Sequence, residues 1–210
     1  MYPKYGNIIK AFEWIYYNIF DITQIVFWSA TYVLMIVYGV KYRYEGKLFI
    51  PLLPGCLNLA WELNAGLDAY LGSILWLILD LVIFIQNIKT LENNRKRILY
   101  ICALIAVTAI LYFVFRIPEA DGKLYSVFVL DIIMAVFFIV KVNYLSQHGR
   151  ITIACTKLIG DLFAWIVYSK DAVAVSIIGL LVLLLNIMYL AVCLEKQSKT
   201  KIKRKVAGNE

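Results

Sequence analysis

Residues 172–194 read AVAVSIIGLLVLLLNIMYLAVCL, an unbroken run of 23 residues without a charged side chain. As an α-helix rising about 1.5 Å per residue, such a run covers about 35 Å, more than the roughly 30 Å of a bilayer's hydrocarbon core. A soluble domain has no use for a helix that apolar on every side.

Six comparable runs precede it, and together they predict seven membrane spans: Ile22–Val40, Leu48–Leu67, Ala69–Ile88, Ile98–Phe115, Leu124–Val140, Ile151–Tyr168 and Ala172–Leu194. Between the second and third spans only Asp68, Ala69 and the Gly72-Ser73 pair interrupt the apolar run, which predicts a tight hairpin there. The whole chain of 210 residues is 62% hydrophobic, with a mean hydropathy of +0.77, against roughly 45–50% apolar in soluble domains. Lipid must solvate that excess, and backbone amides in hydrocarbon then have to bond within their own helices. The expected fold is all-α, a polytopic seven-transmembrane-helix bundle.

Lys and Arg near span ends are retained on the cytoplasmic side. Here they alternate: Lys41, Arg43 and Lys47 follow span one, Lys89, Arg95, Lys96 and Arg97 span three, and Lys141 and Arg150 span five. The intervening loops hold Arg116 and Lys123 against Glu119 and Asp121, and Lys170 beside Asp171. This predicts an external N-terminus, a cytoplasmic C-terminus and a multi-pass protein of the cell membrane.

Residues 1–21 mix Phe12, Trp14, Ile15, Tyr16, Tyr17 and Phe20 with Lys10, Glu13 and Asp21. They read as an interfacial segment, or as a ragged start to the first span, and lack the apolar core of a cleaved signal peptide. Residues 22–195 form the membrane domain, and the Lys-rich residues 196–210 a disordered basic cytoplasmic tail. The net charge of +7 then expresses topology and attraction to anionic membrane lipids rather than nucleic-acid binding. Cys56, Cys102, Cys155 and Cys193 fall in different spans and the single histidine, His148, in a loop, a pattern that predicts neither disulfide nor metal site, and no cofactor is expected. No repeat of the three-plus-one-plus-three kind used by small-solute transporters is visible between the two halves.

Charged groups inside spans are expensive and mark candidate sites. Glu62 lies in span two, Asp80 in span three, Asp131 in span five, and Lys157 and Asp161 in span six, with Asn58, Asn64, Gln86 and Asn186 as neutral polar companions. Lys157 and Asp161, four residues apart, can pair on one helix. Asp131 sits near enough to a span end to reach a polar neighbour. Asn58 and Glu62, one turn apart, share a face beside Trp61. Glu62, Asp80 and Asp161 are expected to converge on one polar pocket. Trp61, Trp76, Tyr125, Trp165, Tyr168 and Tyr189 also lie within spans, and π-faces can stabilise a cation in a dry cavity. An acid beside an aromatic-lined apolar cavity fits carbocation cyclisation, and the aromatic cores of other membrane bundles have the same composition.

The stretch Gly55-Cys56-Leu57-Asn58-Leu59-Ala60-Trp61-Glu62 resembles the Cys-Asn-x-Ala-Trp-Glu motif of the membrane-integral terpene cyclases of fungal meroterpenoid and indole-diterpene pathways and their bacterial relatives. The likeness in order and spacing runs over residues 20–196. It includes the Tyr38–Lys47 loop region, Pro51 and Pro54, Trp76 and Asp80 ahead of Ile88-Lys89, Tyr125-Ser126, and Thr156-Lys157-Leu158-Ile159-Gly160. What the resemblance implies is a metal-free cyclase in which Glu62 protonates an alkene or epoxide of a lipid-soluble prenylated substrate. Asn58, Trp61, Trp76, Tyr125, Lys157, Trp165, Asn186 and Tyr189 would line the substrate's cavity. The family's second acid, an aspartate of the last span, is matched here by Asn186. Asp80 or Asp161 then replaces it, one carboxyl suffices, or the chain does something else. A transporter of a small solute or proton that uses the same acids as a relay, and a lipid-binding protein without chemistry, are the other readings.

Overall fold

The computed structural model describes residues 5–42, 52–67, 71–116, 122–140, 142, 149–170 and 172–207. Among these there are seven helices and no strand: α1 (Tyr5–Tyr42), α2 (Leu52–Leu67), α3 (Leu71–Thr90), α4 (Asn94–Arg116), α5 (Gly122–Val140), α6 (Arg150–Tyr168) and α7 (Val173–Ala207). The described part of each apolar run falls within one helix, apart from Ala172 just before α7. The hairpin expected between the second and third spans falls at 68–70, outside the described residues.

The distribution of polarity is the reverse of a soluble protein's. Outward-facing positions carry Leu99, Ile105, Phe113, Val173 and Ile177, all more than 60% exposed, while Glu62, Asp80, Asn87, Lys157 and Asn186 are fully enclosed. Water would disfavour that arrangement; lipid selects it, because apolar side chains face hydrocarbon and polar ones find partners inside. Among the described residues, five helical segments are long and apolar enough to cross a membrane: Asn18–Lys41, Gly72–Thr90, Asn94–Val114, Arg150–Tyr168 and Val173–Ile202, with Phe128–Val140 a shorter apolar helix. The chain is a helical membrane protein.

Helix α1 is continuous across Asp21 and Ile22, where the sequence divides an interfacial segment, or a ragged start, from the first span; the charges there are scattered and none of those residues breaks a helix. The tail predicted to be disordered instead extends α7 to Ala207. Lys, Arg, Gln and Glu are good helix formers, the apolar part of α7 supplies the nucleus, and Glu195 and Lys199 pair one turn apart at 2.5 Å.

In lipid, apolar contact alone gives helices little reason to associate, so small residues and interhelical hydrogen bonds set the packing. Helix α1 is central, packing against α6 on one side and α3 on the other. Gly160 lets α6 approach it: a Cβ there would lie 2.8 Å from Trp28 Cδ1. Thr31 donates to Thr156 across the same contact at 2.8 Å, and the Gln86 amide of α3 donates to the Ile36 carbonyl of α1 at 3.2 Å. Helix α2 lies among α3, α4 and α5, and α7 closes the bundle against α5 and α6.

Candidate functional site

Two polar clusters form inside the bundle, and α1 joins them. The first lies between α1, α2 and α3. On α2, Asn58 and Glu62 stand one turn apart, and the Asn58 amide donates to Glu62 Oε1 at 3.1 Å, to Asp80 Oδ2 of α3 and to Tyr32 Oη of α1. Tyr32 in turn donates to Glu62 Oε1 at 3.4 Å. An amide nitrogen carries two hydrogens for these three acceptors, so the bonds can interchange. Glu62 Oε2 and Asp80 Oδ1 have no hydrogen-bond partner among the described residues, and the Asn58 amide, donating to the other oxygen of each, holds the two carboxyls side by side.

The second cluster lies between α1, α6 and α7. Lys157 Nζ donates to Asp161 Oδ2 at 2.7 Å, the i,i+4 pair that the sequence suggested, and both side chains are fully buried. The Asn186 amide of α7 donates to the same oxygen. Lys157 Nζ also lies over the Trp28 ring, 4.5 Å from its centroid, a cation–π contact in a dry setting.

Between the clusters is a cavity of about 40 Å³ lined by Gln24, Trp28, Tyr32, Asn58, Trp61, Trp76, Leu130, Asp131, Ala164 and Tyr168, room for about three water molecules. Its aromatic wall is continuous. Trp28 lies 6.2 Å from Tyr32 and 6.4 Å from Trp76, and Trp76 lies 6.5 Å from Trp61, centroid to centroid. Trp76 is held by a hydrogen bond to Ser29 Oγ at 3.2 Å, and Tyr168 donates to Asp21 Oδ1 at 3.1 Å. Asp131 faces this cavity and is within electrostatic range both of Tyr32 and of the Lys157–Asp161 pair.

Of the residues singled out in the sequence, Asn58, Glu62 and Asp80 are brought together, and Trp61 and Trp76 stand beside them on the cavity wall. Asp161 does not share their pocket; it belongs with Lys157 and Asn186 on the far side of Trp28. Trp165 lies away from the cavity, donating to the Ser176 carbonyl at 3.0 Å and packing over Gly179. Tyr189 packs against Phe138 with centroids 5.4 Å apart, also away from the cavity. The side chain of Tyr125 is outside the described residues. Gln24, Trp28 and Tyr32 enter the site unannounced, although their spacing of four placed them on one stripe of the first span. Asp131, read from the sequence as a span-end residue, lies on the cavity wall.

Among the described residues no three His, Cys, Asp or Glu side chains converge to hold a metal ion. Comparison with protein families, with curated proteins and with solved structures finds no match.

Proposed function

We propose that this chain is a membrane-embedded enzyme that uses Glu62 as a proton donor to a lipid-soluble prenylated substrate, in the manner of the terpene cyclases its Asn58–Trp61–Glu62 motif resembles. The observation that carries this reading is the Glu62–Asp80 carboxyl pair, buried behind Tyr32 and Asn58 at the edge of an aromatic-lined cavity. Rings lining such a cavity lower the energy of a cation formed there.

Glu62 itself is not on the cavity wall, whereas Tyr32 is, and Tyr32 is hydrogen-bonded to Glu62. Once its O–H turns from Glu62 to the substrate, the Tyr32 hydroxyl gives that proton to the substrate and takes the proton of Glu62 in its place. An epoxide oxygen receives that proton, its C–O bond breaks to leave a hydroxyl and a carbocation, and a neighbouring alkene's π pair closes the ring. Loss of a proton to the Glu62–Asp80 pair restores the acid. Asp80 thus takes the place of the second acid that Asn186 cannot supply. A cavity of about 40 Å³ admits a prenyl chain only as its wall side chains move apart.

The same reading places seven spans across the cell membrane, with the N-terminus outside and the basic end of α7 in the cytoplasm. One observation favours a different function: a space of water size between two acid clusters, with Asp131 and Tyr32 bridging them, suits a proton relay in a transporter. Incubating the reconstituted protein with an epoxidised farnesyl phenol separates the two. A cyclised product by mass spectrometry supports the enzyme; unchanged substrate together with proton uptake into protein-containing vesicles supports the relay.

A further inference from the structure

The buried polar atoms left without partners around the cavity and its flanking clusters have one property in common. Gln24 Oε1, Glu62 Oε2, Asp80 Oδ1, Asp161 Oδ1 and Asn186 Oδ1 are all acceptors, and all five side chains are more than nine-tenths buried. Gln24 also lines the cavity itself. A buried acceptor without a donor is destabilising, more so when it is charged. Of these five only Gln24 stands on the cavity wall, so the cavity presents one buried acceptor in want of a donor.

It also lacks positive charge. Asp131 is the carboxyl on its wall, which carries no Lys or Arg among the described residues, and Lys157 is already paired with Asp161. The fold shows how it houses an ammonium: Lys157 Nζ is placed 2.7 Å from a carboxylate oxygen and 4.5 Å from the Trp28 ring centroid. The cavity repeats those two components, with Asp131 as the carboxyl and Trp28, Trp61 and Trp76 as the rings.

We propose that this cavity is a binding site for a small protonated primary amine. Its N–H groups meet Gln24 Oε1 and the Asp131 carboxyl, its charge offsets that carboxyl, and its alkyl part meets the indoles. Water in the cavity could donate hydrogen bonds but would not bring a counter-charge to Asp131. A metal ion needs more converging oxygen ligands than these two residues offer, while an ammonium needs only the two acceptors, Gln24 and Asp131. The site stands whether or not Glu62 donates a proton to a substrate.

The test titrates the full chain in phosphatidylcholine nanodiscs with ethylammonium, tetramethylammonium and ethanol at matched ionic strength, reading tryptophan fluorescence. Ethylammonium should give a saturable change. Tetramethylammonium, a cation without N–H, should bind at least tenfold more weakly, and ethanol should give no saturable change. Asp131→Asn should weaken ethylammonium binding about tenfold or more, as expected for losing a charged hydrogen-bond acceptor. Asp131→Glu, retaining the charge, should bind within a few-fold of wild type and controls for folding, with monodispersity checked for both variants. No saturable response to ethylammonium in the wild type, an equal response to ethanol, or unchanged affinity in a well-folded Asp131→Asn protein would overturn the proposal.

Discussion

Asn58 on α2 donates a hydrogen bond to Asp80 on α3 while also donating to Glu62 on its own helix, so a single amide holds two buried acids in register. Asn58→Leu removes both donors and leaves the acceptors buried, at a cost of roughly 1–3 kcal/mol. The apparent midpoint of unfolding in detergent should fall accordingly. Asn58→Asp, which places a third carboxyl against the pair, should lower it at least as far. Midpoints equal to wild type for both variants would mean that the amide does not organise the acids.

The Lys157–Asp161 pair predicts a non-additive double substitution. Lys157→Met leaves Asp161 buried without its cation, which costs about 3–5 kcal/mol in comparable buried pairs. Adding Asp161→Asn removes the stranded charge. The double variant should therefore be more stable than Lys157→Met alone, as measured by unfolding in a titration with dodecyl sulfate. Additive losses would show that the two groups do not depend on each other.

Close approach of α1 and α6 at Gly160 makes a steric prediction. Gly160→Ala puts a methyl group 2.8 Å from Trp28 Cδ1, which forces the ring or the helix to shift at a cost of about 1–3 kcal/mol. Trp28→Phe in the same chain should recover part of the loss by giving the methyl room. The comparison of the two midpoints checks it.

Topology follows from the alternation of basic residues. A reporter fused after Glu210 should be active in the cytoplasm, and a tag at Met1 should be accessible from outside intact cells. A reporter after Glu210 that is active only outside would refute both the proposed orientation and its odd number of spans.

These residues also show what the sequence could disclose. Helices α3, α4, α6 and α7 were legible because each carries a run of apolar side chains as long as a bilayer is thick, and that requirement is local. The i,i+4 pairing of Lys157 with Asp161 was legible for the same reason. The helical extension of α7 past Leu194 was hidden because polar composition alone cannot distinguish a solvated helix from a disordered tail. The partnership of Asn58 with Asp80 depends on how α2 and α3 rotate against each other, which no single-helix period reveals. Gln24, Trp28 and Tyr32 carried a readable stripe, but aromatic residues in a span have an equally good reading as lipid-facing or interfacial side chains. Only the packing of α1 against α3 and α6 turns that stripe inward.

The central claim is that Glu62 supplies the proton, and its direct measurement is conversion of an epoxidised farnesyl phenol by membranes carrying wild type or Glu62→Gln at equal expression. The substitution keeps the volume of the side chain and its acceptor oxygen while removing the acidic proton. General acid catalysis contributes about 10²–10⁴-fold in rate, so cyclised product should fall by at least about a hundredfold, and Tyr32→Phe, which breaks the route from Glu62 to the cavity, should fall with it. Equal conversion by wild type and Glu62→Gln would contradict the claim.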